Sequence, residues 1–278
     1  MTHIPILWLG AHKTGTTTLQ SALELSRPVL RKHGYHYMPL DRFRRRYTRP
    51  LIYSGDYGEP HEPMPKLNLY FDENIPDLVQ SVLSAQGLYP DLESRSRIMA
   101  DYFGLDAPRI FFGIRSFTGF LPSLFCETLK STPYQPFSRF YRPDRHRLAW
   151  DEVIDRIRRT FPDSPIGVYR AEDLRGNERQ LLSHVTGIPP EAFSFPEQSR
   201  REGFSHKAVR SLYALSQTRQ VTFNDVFAAV REYPKGEKWK GFDPLSDEEK
   251  QRLDELYQRD LDRLRARSDI EFIELGAR

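Results

Sequence analysis

The chain has 278 residues and a formal net charge of +3. That length suits one large α/β domain, and the near balance of charge argues against a nucleic-acid partner while suiting a small anionic ligand. The single cysteine, Cys126, excludes an intrachain disulfide and a cysteine-cluster zinc site, and none of the eight histidines forms an HExxH pair. The first apolar run, Ile4 to Leu9, is broken by Pro5 and is too short to cross a membrane. A cytoplasmic protein with no integral membrane segment, no metal and a single domain over residues 1–278 is expected.

In chain order, Ile6-Leu7-Trp8-Leu9 predicts a short buried strand, and Gly10 to Thr17 a glycine- and threonine-rich turn. Leu19, Ala22, Leu23, Ser26 and Leu30 then recur at helical spacing, so the opening is that of a βαβ unit. Residues 33–108 are rich in Pro, Tyr and Arg, with turn signals at Ser54-Gly55-Asp56 and Tyr57-Gly58-Glu59-Pro60. They predict an irregular insertion, a lid or acceptor side, holding a short helix near Asp91 to Phe103. Arg109 to Arg115 predicts a second buried strand, and Trp150, Val153, Ile154, Ile157 and Phe161 one face of a helix. Ile166 to Tyr169 predicts a third strand, followed by a helix through Leu181, Leu182 and Val185 that stops at Gly187. Two helices follow near Ser205–Ser216 and Phe223–Tyr233. A last helix starts at Ser246 with Glu249 completing a capping box, and Ile270 to Leu275 predicts the final strand. Strands alternating with helices predict a parallel sheet covered by helices.

The first loop reads Gly10-Ala11-His12-Lys13-Thr14-Gly15-Thr16-Thr17-Thr18. Its glycines have the spacing of the nucleotide-triphosphate loop GxxxxGK[ST], but Thr16 stands where that loop needs lysine, and the lysine sits earlier, at Lys13. Backbone N–H groups before a helix N-terminus bind a phosphate, and the threonines add hydroxyl donors. A lysine on the far side of that phosphate can stabilise it as a leaving group. The string LGAHKTGTTTLQ closely resembles the phosphosulfate loop of sulfotransferases, in their bacterial form, that use PAPS (3′-phosphoadenosine 5′-phosphosulfate). The resemblance implies a three-layer, P-loop-like α/β fold. It implies that Lys13 contacts the oxygen bridging phosphate and sulfate, with Gly15 to Thr18 on the 5′-phosphate; His12 and Thr14 belong to the same loop. It implies that PAPS is the donor, PAP the product, and that no metal takes part.

In that family the 3′-phosphate is held by an arginine at a strand end and a serine eight residues on, the spacing of Arg115 and Ser123 here. Lys235 and Gly236, in the segment YPKGEKWKGF, faintly resemble a family segment that covers the same phosphate. The acceptor, a hydroxyl or amine, must lose a proton, which suits a histidine or glutamate. His36 is the first candidate and His33 the second, with Asp41 and His61 behind them. Two arginine clusters, at residues 42–49 and 139–147, are either solvated basic faces or contacts for an anionic acceptor such as a saccharide or glycolipid. The competing readings are a P-loop kinase, which needs Mg²⁺ and a carboxylate after a strand, and a non-catalytic nucleotide-binding protein on the same fold.

Overall fold

The computed structural model describes residues 4–53, 58–197 and 203–276. Strand β1 (Ile6–Trp8) leads through a tight loop into helix α1 (Thr16–Leu25) and, after a break at Ser26, α2 (Arg27–Lys32). A bent helical run follows: α3 (Leu40–Phe43), a π-helical turn (Arg44–Thr48) and α4 (Arg49–Ile52). Next come β2 (Leu69–Phe71), a small hairpin of β3 (Leu83–Ser84) and β4 (Gly87–Leu88), and α5 (Leu92–Phe103). Strand β5 (Arg109–Ile114) precedes α6 (Phe117–Thr128), α7 (Phe137–Phe140) and α8 (Trp150–Thr160). Strand β6 (Ile166–Arg170), α9 (Glu178–Thr186), α10 (His206–Ser216), α11 (Phe223–Glu232), α12 (Asp247–Arg265) and β7 (Glu271–Ile273) complete the chain.

The central sheet has five strands in the order β2-β1-β5-β6-β7, and each pairing is parallel. Both faces are covered, which is why the strands read as continuous apolar runs. Leu7, Ile110, Phe112, Ile166 and Val168 face one core with α5, α6, α8 and α12. Ile6, Trp8, Leu69, Phe71, Phe111 and Tyr169 face the other with α1, α2 and α9. The fold is therefore α/β, with a helix-flanked parallel sheet. No helix among the described residues is long and apolar enough to cross a membrane.

One sequence expectation changes. The stretch 33–108 is not wholly irregular, because it supplies β2 to the central sheet, with Ile6 opposite Leu69 and Trp8 opposite Phe71. The helix expected near Asp91 is α5, and it stops at Gly104, whose φ of +62° an L-residue rarely adopts. The turn read at Ser54-Gly55-Asp56 lies outside the described residues.

This strand order has a consequence for binding. The chain leaves β1 for β2 on one side, then crosses back to β5 on the other. Ligands of open α/β sheets bind beyond the carboxyl ends of strands at such a reversal. The residues there are the loop after β1, Asp72 to Asn74 after β2, and Arg115 after β5.

Candidate functional site

The loop after β1 is held in an unusual backbone conformation. Gly10, Lys13 and Gly15 have φ of +49°, +64° and +87°. For a lysine this region is sparsely populated, and such residues persist only where neighbours hold them. Arg115 does so, its Nη1 donating to the Lys13 carbonyl at 2.7 Å. At Gly15 a Cβ would stand 2.5 Å from Leu174 Cδ2, so the close approach needs glycine. Gly15 is also the N-cap of α1, and no side chain caps that helix. The N–H groups of Thr16 and Thr17, the first two of the helix, have no intrahelical acceptor and are disposed for an anion.

Two adjoining cavities open beside this loop. The first, of about 520 Å³, is lined on its polar side by His12, Thr16, Thr17, Arg44, Glu73 and Asn74. The second, of about 470 Å³, is bordered by Arg115, Gly119, Ser123, Lys235, Lys250 and Asp254. Lys13, Glu127, Lys130 and Phe204 line both. Lys13 Nζ sits at their junction, 2.8 Å from Glu127 Oε2, with Lys130 Nζ 3.1 Å from the same oxygen. Burial by itself would raise the Glu127 pKa, but Lys13 and then Lys130 hold it down to about 2.

The sequence-selected residues divide between these walls. Thr16 and Thr17 reach the first cavity, whereas the Thr14 hydroxyl turns inward and donates to the Ala11 carbonyl at 2.6 Å. Thr18 N–H closes a tight turn onto the Gly15 carbonyl at 3.1 Å. Arg115 and Ser123 meet on the second cavity because α6 brings Gly119, Ser123 and Glu127 round at four-residue intervals. Gly119 leaves room for the guanidinium, since a Cβ there would stand 3.0 Å from Arg115 Nε. Pro122 lies inside α6 and removes one backbone donor without ending the helix. Lys235 reaches the second cavity by passing its aliphatic stem between two glycines. A Cβ at Gly203 would stand 2.8 Å from Lys235 Cδ, and one at Gly241 2.9 Å from its Cε. Gly236 is not on the wall; its N–H closes a turn onto the Trp239 carbonyl at 2.9 Å.

The floor of the first cavity was not anticipated. Asp72 is fully buried at the end of β2 and takes hydrogen bonds from Arg44 Nη2 (2.7 Å) and Thr48 Oγ1 (2.8 Å). Glu73 pairs with Arg44 at 3.1 Å and accepts from Gln20 Nε2 at 2.6 Å. Burial would push the Glu73 pKa up, but Arg44 and the Gln20 bond outweigh it and keep the carboxyl below its ordinary range. The Asn74 amide bridges the group, its nitrogen donating to His12 Nε2 (3.1 Å) and its oxygen accepting from Arg44 (3.1 Å). Burial lowers the His12 pKa, so the ring is neutral at neutral pH. The run Asn68-Leu-Tyr-Phe-Asp-Glu-Asn74, an apolar triplet ending in carboxylates, is the signal that could have marked this floor.

His36 lines neither cavity. Its N–H donates to Asn68 Oδ1 at 2.8 Å, and its carbonyl accepts from Asn68 and Leu69 at 3.4 Å. After α2 the chain runs parallel beside β2, with Tyr37 bridging Leu69, and so sets His36 at the amino end of the sheet instead of across the cleft. His33 caps α2 and is exposed, as are Asp41 and His61; none lines either cavity. Of the first arginine cluster, only Arg44 enters the site. No protein-family model, curated protein or solved structure matches the chain.

Proposed function

We propose that the chain is a sulfotransferase that moves a sulfuryl group from PAPS to an acceptor hydroxyl, with the loop after β1 acting as its phosphate loop. The observation that carries this reading is the hydrogen bond from Arg115 to the Lys13 carbonyl, which joins two anion-binding elements around one cleft. Under this reading the 5′-phosphate sits on the N–H groups of Gly15 to Thr17, and the 3′-phosphate meets Arg115, Ser123 and Lys235 across the second cavity. The acceptor enters the first cavity. Its oxygen attacks sulfur, the bond from sulfur to the bridging oxygen breaks, and that electron pair stays on the phosphate of PAP. Lys13 leaves Glu127 and neutralises the oxygen as charge develops there.

The acceptor proton goes to Glu73. Its two oxygens have more lone pairs than Arg44 and Gln20 occupy. His12 has one acceptor nitrogen, and Asn74 already fills it.

One observation favours a second reading. The carboxylate after a strand that a kinase needs is present, as Asp72 and Glu73. Both, however, are engaged by Arg44, a cation that competes for the same oxygens.

The test is thermal melting with PAP, AMP and ATP–Mg²⁺, then a screen of acceptors with ³⁵S-labelled PAPS. Binding to the folded state raises Tm by mass action, so PAP should give the largest shift. A shift with ATP–Mg²⁺ and none with PAP overturns the proposal.

A further inference from the structure

The cleft does not absorb the second arginine cluster of the sequence, residues 139–147. One of its members, Arg147, lines a separate cavity of about 360 Å³, set between α12, the start of α8 and the segment that leads into α8. This cavity shares no lining residue with the two beside the loop. Helical spacing builds its α12 wall. Arg252, Leu256, Arg259 and Arg263 recur every three or four residues and so share one helix face.

Four arginines line this cavity against two carboxylates, Glu152 and Asp260. Arg147 pairs with Glu152, and Arg263 with Asp151. Among the described residues Arg252 and Arg259 pair with no carboxylate; Arg252 reaches the Tyr141 hydroxyl, at a long 3.4 Å. Asp260 offsets little of their charge, because burial pushes its carboxyl up to about 7 and the Trp150 N–H already occupies its Oδ2 at 2.7 Å. Burial lowers the His146 pKa, so that ring adds no charge at neutral pH. The floor is apolar. Tyr141 and Leu148 are buried there, Leu256 is half-buried, and the His146 ring stacks on Tyr141 with centroids 6.1 Å apart.

Ligand cavities of this kind combine an apolar body with a few placed polar groups. Two guanidinium groups without carboxylates match a phosphate monoester, which carries close to two negative charges at about pH 7 and accepts paired N–H bonds from arginine. A carboxylate brings a single charge and leaves one guanidinium unmatched, and inorganic phosphate leaves the apolar floor uncovered. We propose that this cavity is a separate anion site, for a phosphate monoester with a small aromatic or apolar body. The phosphate meets Arg252 and Arg259, and the body covers Leu256 and the Tyr141–His146 stack. The site stands or falls apart from sulfuryl transfer, because it shares no residue with the cleft.

Calorimetric titration of the whole chain with phenyl phosphate, inorganic phosphate and phenol at about pH 7 tests this. Phenyl phosphate should bind about ten-fold more tightly than either of the others, because it alone uses both the arginines and the apolar floor. The double variant Arg252→Gln, Arg259→Gln alters two exposed positions and keeps helix propensity, so Tm should hold. It should weaken phenyl phosphate about ten-fold or more, the loss expected for hydrogen bonds to a charged group. Lys235→Gln, on the second cavity, should leave phenyl phosphate binding unchanged. An affinity that survives the arginine double variant overturns the proposal, and a loss confined to Lys235→Gln does so by placing the ligand in the cleft. Phenol or inorganic phosphate binding as tightly as phenyl phosphate also overturns it.

Discussion

Lys13 is held from two directions, its backbone by Arg115 and its ammonium by Glu127. This arrangement separates binding from chemistry. Under the proposed reading, replacing Lys13 with alanine leaves the backbone N–H groups assigned to the 5′-phosphate, so PAP affinity should fall only a few-fold. Turnover should fall roughly 10²–10³-fold, the usual loss for one transition-state charge stabiliser. A variant with unchanged turnover in single-turnover assays removes Lys13 from the mechanism. The proton acceptor makes a sharper case. A histidine base in general makes activity climb through the imidazole range, about pH 6.5. A Glu73 base predicts something else, because Arg44 keeps that carboxyl below its ordinary range. Glu73 is then ionised across neutral pH, and activity is lost only as pH falls through the carboxylate range. The profile of kcat/KM should be flat from about pH 6 to pH 8. Glu73→Gln should abolish most turnover, while His36→Gln, away from both cavities, should keep it. The opposite result restores His36 as the base.

At the level of elements, what the sequence made legible follows apolar periodicity. Strands β1, β5, β6 and β7 and helices α8, α9, α10, α11 and α12 lie where their patterns predict them, and all but β7, which buries only Ile273, bury a continuous run or stripe. Strand β2 escaped for a physical reason. It spans only Leu69–Phe71, and its neighbours are rich in Pro, Asn and charged residues, so its run is too short to stand out. Losing β2 also hid the carboxylates beyond it and left His36 as the apparent base. The placing of the loop and Arg115 at strand ends was legible, because each follows an apolar run directly. Another element joint is open to test. Asp260 on α12 is buried and accepts the N–H of Trp150 at the start of α8, at 2.7 Å. Burial, with Asp151 adding to it, pushes this carboxyl up to about 7 from its ordinary 3.8. The folded state therefore binds this proton more tightly than the unfolded state. Stability should fall as pH rises from about 4 to about 7 and stay lower above that. Asp260→Asn keeps an oxygen for the Trp150 N–H but cannot ionise. It should melt higher than the parent at pH 8 and close to it at pH 5. Parallel melting curves at the two pH values contradict this account.

At the scale of the whole molecule, the topology gathers residues that the sequence scatters. Lys13, Glu73, Arg115 and Lys235 meet because three parallel strand ends and the loop before α12 converge on one crevice. Net charge hides the result. The chain carries only +3, yet Lys13, Lys130, Arg115, Lys235 and Lys250 border the second cavity. Their local excess over Glu127, Asp243 and Asp254 suits a donor with two phosphate groups. The same arrangement bears on metal dependence. A phosphoryl-transfer site of this topology sets a divalent cation beside the loop, held by a loop hydroxyl and a strand-end carboxylate. Here the strand-end carboxylates are Asp72 and Glu73, and the Arg44 guanidinium lies within 3.1 Å of both. A cation entering there must displace Arg44 from a fully buried aspartate, and an unpaired buried charge is costly. Lys13 already supplies positive charge at the leaving oxygen in the proposed reaction. Transfer from PAPS should therefore continue at its full rate in EDTA, and added Mg²⁺ should change it less than about two-fold, far short of the factors by which cation clamps act. Arg44→Ala is the informative variant. Freeing both carboxylates should create Mg²⁺ affinity in calorimetry where the parent shows none. Strict dependence of the parent on Mg²⁺ assigns the cleft to phosphoryl transfer instead.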